Sequence, residues 1–354
     1  LEISLIVEQV VFGGKGLSRL EDGRVCFVPG VIPGERVLVR IQREHKTYVE
    51  ADLVRILEAS PDRVKPDCSV FGRCGGCHYQ HMAMSRQLAV KRDQVVDVLR
   101  RVGGVAEPQV DEVVPSPVSF GYRNRITVHS HRGRVGYFAP KSRKVVEISA
   151  CPIASEEVNG MLTELLSQPR NRIRDGAYPL REPREFKGFR QVNDAAGGLL
   201  QDVVVALADP GGTLLVDAYC GAGFFAKRLL EKFRQIIGIE WSPDAVRAAR
   251  EGVTDAEIYL LGDVKLHLVA ALASAPAAET TLLLDPPTEG LEPEILDLIV
   301  GHQPGRIIYV SCHPATLARD IKRLAGSYGL RRVCPVDMFP QTAEIEVAVL
   351  LEKL

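Results

Sequence analysis

The chain has 354 residues, more than one ordinary domain accounts for, so two or three are expected. Hydrophobic residues make up 46%, enough for real cores; no apolar run is as long as a membrane span and the first residues do not read as a signal peptide, so a cytoplasmic protein with no membrane association is expected. The net charge of −1 hides an imbalance: residues 66–190 carry 20 Lys+Arg against 13 Asp+Glu, and residues 191–354 carry 14 against 22, which suits a polyanionic partner gripped away from the chemistry.

In chain order, residues 1–58 read as short strands, with turns at Gly13-Gly14, Asp22-Gly23 and Pro33-Gly34 separating runs at 17–20, 25–28, 36–41 and 49–57. Strands at this spacing predict a small barrel. A helix is expected from Met84 to Arg101, ending at Gly103-Gly104. Residues 108–190 read as mostly β, with one helix near 155–166. From about Gly188 the pattern alternates. Five apolar strands are expected at 214–217, 235–240, 258–262, 281–285 and 306–311, with helices at 225–233, 243–250, 264–273 and 292–299. That predicts a doubly wound parallel sheet of Rossmann-like type. Runs at 331–336 and 344–351 follow with only a loop between them and are expected to pair antiparallel at the sheet edge.

Cys68-x5-Cys74-x2-Cys77 brings three thiols onto one loop, and Cys151, followed by Pro152, is the candidate fourth ligand. Four thiolates suit zinc or an iron–sulfur cluster alike, and His78 and His81 keep a mixed zinc site open. Between Phe120 and Lys144 lie seven basic residues (Arg123, Arg125, Arg132, Arg134, Lys141, Arg143, Lys144) and no acidic one, interleaved with Phe120, Tyr122, Tyr137 and Phe138. Such a stretch can neutralise phosphates and stack on unpaired bases of RNA, although rings on alternate strand positions also serve as core.

The first strand of the alternating region runs into Asp217-Ala218-Tyr219-Cys220-Gly221-Ala222-Gly223, and the next ones end at Glu240, Asp263 and Asp285. Acidic residues at the carboxyl ends of consecutive strands surround one crevice, with Glu240 suited to ribose hydroxyls and Asp263 to an adenine edge. NAD sites use a longer glycine fingerprint, so S-adenosylmethionine fits better. Strand five ends Tyr309-Val310-Ser311-Cys312-His313-Pro314 at the start of a helix, where the helix N-terminus is expected to lower the thiol pKa. A thiolate there can activate carbon 5 of uracil by adding to carbon 6, and a carboxylate must then remove the proton from carbon 5. Glu344 and Glu346 are the candidates, expected on one strand face by their spacing of two.

Tyr309–Asp320, Asp337-Met338-Phe339-Pro340-Gln341-Thr342 with Glu346, Phe189–Asn193, Asp217–Gly223 and Asp285-Pro286-Pro287 together resemble the RNA uracil-5-methyltransferase family, which modifies ribosomal and transfer RNA. The resemblance spans nearly the whole chain. It implies Cys312 as nucleophile, Glu346 as base, and Gln191, Tyr219, Glu240, Asp263 and Asp285 around S-adenosylmethionine. Residues 1–58 resemble the OB-like TRAM barrel, and members with that barrel carry a [4Fe–4S] cluster on the spacing of Cys68, Cys74, Cys77 and Cys151. The implied fold is multidomain α/β: a TRAM barrel over residues 1–60, a central α+β domain with the cysteine cluster over 61–187, and a methyltransferase domain over 188–354. Ribosomal RNA is the expected partner ahead of transfer RNA, with a non-catalytic RNA-binding or assembly protein as the alternative; no obligate protein partner is expected. The sequence departs from the family at Phe224, Thr288 and Glu344 and in a short stretch from Cys151 to Gln191.

Overall fold

The computed structural model describes residues 2–182 and 191–354. The expected domain boundary at 187/188 and Phe189-Arg190 of the motif lie outside the described residues. The chain forms two compact units and passes between them more than once. The first takes residues 2–94, 116–182 and 339–344; the second takes 95–115, 191–338 and 345–354.

The first unit opens with β1 (Glu2–Ile6), β2 (Gln9–Val10), β3 (Lys15–Arg19), β4 (Val25–Pro29), β5 (Arg36–Glu44) and β6 (Tyr48–Glu58), in one sheet of order β1-β5-β6-β4-β3-β2. Alternation drives it: Val37 and Val39 point into a core with Val28 and Val49, while Arg36 and Arg40 point out. β1 and β2 were not anticipated, because β1 buries only Leu5 and β2 has two residues. Helix α1 (Met84–Arg101) has the expected limits. A second sheet, of order β10-β7-β8-β9, joins β7 (Arg125–His131), β8 (Arg134–Phe138), β9 (Val145–Glu147) and β10 (Gly176–Arg181). Helix α2 (Glu156–Ser167) starts where the Ser155 hydroxyl accepts the Val158 N–H, and its Val158, Leu162 and Leu165 share a core with Ile126, Val128 and Val135.

The second unit is a seven-stranded sheet with helices between its strands. Its elements are α3 (Asp194–Leu207), β11 (Gly212–Ala218), β12 (Phe233–Glu240), α4 (Pro243–Ala249), β13 (Glu257–Leu261), α5 (Val264–Leu272), β14 (Thr280–Leu284), α6 (Pro293–His302), β15 (Arg306–Ser311), α7 (Pro314–Leu324), β16 (Tyr328–Val336) and β17 (Glu346–Lys353). The order is β13-β12-β11-β14-β15-β17-β16, parallel up to β15, with β17 antiparallel to both β15 and β16. The strands β11, β12, β14 and β15 are largely buried on both faces, as a parallel sheet covered by helices requires, while the edge strand β13 exposes Ile258 and Leu261.

Three expectations need correction. The helix expected at 225–233 is only a 3-10 turn at Ala226–Arg228, followed by a bend and turns at 229–232 that lead into β12 at Phe233. Helix α3, capped by Asn193, was not anticipated. Glu344 precedes β17 instead of lying on it, so it shares no strand face with Glu346. Among the described residues no helix is long and apolar enough to cross a membrane.

Candidate active site

In the second unit β11 lies between β12 and β14, parallel to both, and here the strand order reverses. In open α/β sheets a ligand crevice forms outside the strand carboxyl ends at such a point. The chain leaving β11 takes positive φ at Tyr219 (67°), Gly221 (55°) and Gly223 (82°). At Gly223 a Cβ would stand 3.0 Å from the Tyr259 hydroxyl, so this turn needs glycine there. Glu240, at the end of β12, is buried and oriented by two backbone donors: Gly221 N–H at 3.0 Å and Ser242 N–H at 2.8 Å. Asp263 caps α5 by accepting the Lys265 N–H at 2.9 Å. Gln191 and Phe224 both lie against Gly197 on α3. The fold thus brings Tyr219, Glu240, Asp263 and Asp285 to the carboxyl ends of four consecutive strands, and sets Gln191 beside the turn after β11.

The crevice floor is acidic, with Asp217 fully buried and Asp285 half-buried. Burial, with Asp285 and Glu240 nearby, pushes the Asp217 carboxyl well above the usual range, and burial pushes Asp285 up to about 7. An unfolded Asp ionises near 3.9. Between roughly pH 4 and 7 the folded chain therefore holds a proton that the unfolded chain has released, and stability falls as pH rises through that window. Replacing Asp285 by Asn is expected to flatten that fall and to stabilise the ligand-free protein at pH 8, by on the order of a few kcal/mol. Thermal unfolding from pH 4 to 8 measures it; an unchanged slope would contradict an Asp285 carboxyl raised in this way.

Cys312 follows β15 directly. The antiparallel β15–β17 ladder ends at the pair Ser311–Val347, and Cys312 and Glu346, the first residue of β17, are the next residue on each side, near enough for the Glu346 charge to act on the thiol. Glu346 is buried. The expectation of a lowered thiol pKa is not met: burial pushes Cys312 up, the Glu346 carboxylate adds to it, and Asp285 adds a smaller push. The Thr288 hydroxyl, 3.6 Å from the sulfur, acts in the opposite sense. Position beside the N-terminus of α7 is outweighed, and the resting group is a thiol.

The loop from Asp285 to Leu291 is tied to α7 by groups to which the sequence reading assigned no role. Asp320, fully buried, accepts the Leu291 N–H at 2.9 Å and the Tyr309 hydroxyl at 2.8 Å. Arg319 donates to the Glu289 and Leu291 carbonyls, and the Thr316 hydroxyl donates to the Thr288 carbonyl at 3.1 Å. One signal could have found Asp320: it stands on the same buried stripe as Leu317, Ile321 and Leu324, where a lone carboxylate needs partners.

In the first unit Cys68, Cys74, Cys77 and Cys151 line one pocket, together with Arg123, Tyr137 and Ile148. All four are free cysteines. Gly72, at φ 78°, lets the loop wrap, and the Gly76 N–H points at the Cys74 sulfur at 3.4 Å. The Tyr137 hydroxyl lies 3.7 Å from the Cys151 sulfur. Burial pushes Cys77 up to about 12 and raises Cys74 as well. His78 and His81 turn elsewhere: His78 Nδ1 accepts the Ala343 N–H, and His81 Nε2 lies 3.3 Å from the Val31 carbonyl. Among the described residues no group of three or more His, Cys, Asp or Glu side chains is arranged to hold a single metal ion. Four soft thiols around one hollow have the chemistry that thiolate-ligated zinc and iron–sulfur centres both call for.

Several members of the basic segment are used internally. Tyr122 is buried and donates to the Pro340 carbonyl at 2.9 Å, Arg134 pairs with Glu147, Lys141 pairs with Glu50, and Arg123 lies 3.6 Å from Glu344. Phe138 stacks on His129 at 4.0 Å between centroids. Arg132, Arg143 and Lys144 are exposed.

Residues 276–354 match the family tRNA (Uracil-5-)-methyltransferase, and residues 2–54 match the TRAM domain. An RNA methyltransferase of Bdellovibrio bacteriovorus is 33% identical over 371 residues, covering 98% of this chain and 93% of the relative. One from Nostoc sp. is 31% identical over 435 residues, covering 96% and 93%. The crystal structure of Pyrococcus abyssi tRNA (uracil-54, C5)-methyltransferase with S-adenosyl-L-homocysteine superposes with a TM-score of 0.69 at 24% identity, covering 99% of this chain and 100% of that one. At that identity the likeness speaks for the fold.

Proposed function

The chain belongs to the RNA uracil-5-methyltransferase family, and on that premise we propose that it methylates carbon 5 of one uridine in a folded RNA, with Cys312 as nucleophile and Glu346 as base. The reading is supported by Cys312 and Glu346 each being the next residue beyond the last pair, Ser311–Val347, of the β15–β17 ladder, and by the Glu346 charge acting on the Cys312 thiol. When bound, S-adenosylmethionine would be held by Gln191, Tyr219, Glu240, Asp263 and Asp285 and would supply the methyl group. Cys312 gives its thiol proton to water, and its sulfur bonds to carbon 6 while the C5=C6 electron pair moves onto carbon 5 and its neighbouring carbonyl. Carbon 5 is then nucleophilic and takes the methyl. Glu346 accepts the remaining hydrogen of carbon 5 as a proton, the C–H pair re-forms C5=C6, and Cys312 departs as thiolate. Thr288 steadies that thiolate through its hydroxyl. The target uridine must leave its stack to reach the sulfur.

The four thiols hold a [4Fe–4S] cluster that acts as a structural clasp, since methyl transfer needs no electron. Anaerobically purified protein is expected to contain about four iron and four sulfide per chain. Cys151→Ser is expected to lose them, with damage to folding or RNA binding and little change in S-adenosylmethionine affinity. One zinc per chain, or full methylation by iron-free protein, would overturn this role.

Ribosomal RNA is the proposed target. Transfer RNA is the second reading, favoured by the Pyrococcus neighbour, whose name gives uracil 54 of tRNA. Incubating labelled S-adenosylmethionine with unmethylated ribosomal and transfer RNA, followed by nucleoside analysis, decides between them. The expected product is 5-methyluridine; 5-methylcytidine would overturn the assignment.

A further inference from the structure

The loop 339–344 belongs to the first unit, and the chain continues through Ile345 to Glu346, the first residue of β17. At its centre is Gln341, buried, with φ at 70°. A side chain larger than glycine in the left-handed region costs about 1–3 kcal/mol and persists only where surroundings over-determine it. Here they do. The Gln341 carbonyl accepts the His78 and Tyr79 N–H groups, both at 2.9 Å, from the two residues that follow Cys77. Its own N–H donates to Gln87 Oε1 at 3.0 Å, and its Oε1 accepts from Gln87 Nε2 at 3.0 Å. Its Nε2 points at the Met84 sulfur at 3.3 Å. Gln87, on α1 and wholly buried, spends its remaining donor on the Met82 carbonyl at 2.9 Å. Tyr122 and Lys91 hold the carbonyls of Pro340 and Phe339. A loop made only to connect strands would have no need of a strained residue with every polar atom engaged.

We propose that the reciprocal Gln87–Gln341 pair is a positioning device for Glu346: it fixes the backbone five residues ahead of the carboxylate, so that the base meets the proton on carbon 5. The inference rests on Glu346 being that base. Gln87 and Gln341 touch no reacting atom in this scheme; they act through the loop.

The chemistry offers a readout that loss of stability does not mimic. Thiol addition and methyl transfer precede proton removal, so an enzyme with a misplaced base stalls after methylation, still bonded through Cys312 to carbon 6. Gln87→Leu takes away the partners of the Gln341 N–H and Oε1 and leaves the Nε2 contact with Met84 in place. Gln341→Gly relieves the φ constraint while removing the side-chain half of the pair. Both variants are expected to bind S-adenosylmethionine normally, to lose about 10²-fold in kcat with KM for RNA little changed, and to accumulate an SDS-stable adduct with RNA containing ordinary uracil. Wild type should show almost none. Gln341→Gly is the sharper arm, because a position that merely needed positive φ would tolerate glycine with unchanged kcat. Either variant turning over at the wild-type rate, or losing activity through KM alone with no adduct, would overturn the proposal. Glu346→Gln runs beside them: if it forms adduct and they do not, the positioning role fails and the base stands; if it forms none, the base assignment itself fails.

Discussion

Cys312→Ala should abolish methylation, with a loss of about 10⁴-fold or more, the scale seen when a covalent nucleophile is deleted. No neighbouring group replaces it: the Thr288 hydroxyl lies 3.6 Å from the sulfur but is a far weaker nucleophile toward carbon 6. The companion measurement uses RNA carrying 5-fluorouracil at the target site. Fluorine cannot leave carbon 5 as a proton does, so wild type should end as a covalent protein–RNA complex, and Cys312→Ala should yield none. Affinity for S-adenosylmethionine should be nearly unaffected by the substitution, because the proposed cofactor residues hang from other strands. Equal trapping by wild type and variant would remove Cys312 from the reaction.

Glu346→Gln is the second large effect. The amide keeps the shape of the carboxylate but has no basicity to accept a proton, and positioned general bases contribute typically 10²–10⁴-fold. Turnover should fall by about that factor, while a single methyl transfer per active site survives. Removing Glu346 also takes away a charge that raises the Cys312 thiol, so the first bond-forming step should need a less alkaline solution than in wild type. Rapid-quench measurement of adduct against pH separates the two effects. A variant that neither methylates nor forms adduct would place the loss before proton removal.

Much of this architecture is legible from residue pattern. The limits of α1 and of β15 match their expected ranges, because Gly103-Gly104 ends one and Gly305 with Cys312-His313-Pro314 frames the other. The acidic residues closing consecutive strands are likewise readable, since a parallel sheet delivers its strand ends to one edge. What stayed hidden depends on contacts remote in sequence. Glu344 and Glu346 look like strand neighbours two apart, yet Arg123 is 3.6 Å from the first, and the ladder begins only at the second. Thr288 reads as a bare departure from the family until α7 is folded against its loop. The sign of the Cys312 shift was misjudged because the helix terminus is visible in sequence, whereas the burial that outweighs it is not.

The buried carboxyls beneath the crevice have a thermodynamic corollary. The proposed sulfonium donor would bring a positive charge close to Asp217 and Asp285, whose carboxyls burial raises, with repulsion from Asp285 and Glu240 adding to the rise at Asp217. Uptake of that cation should eject protons into the medium, so the heat of association should track the ionisation enthalpy of the chosen buffer. The uncharged thioether by-product lacks that exchange and should be retained less firmly at alkaline than at mildly acidic pH, relative to the donor.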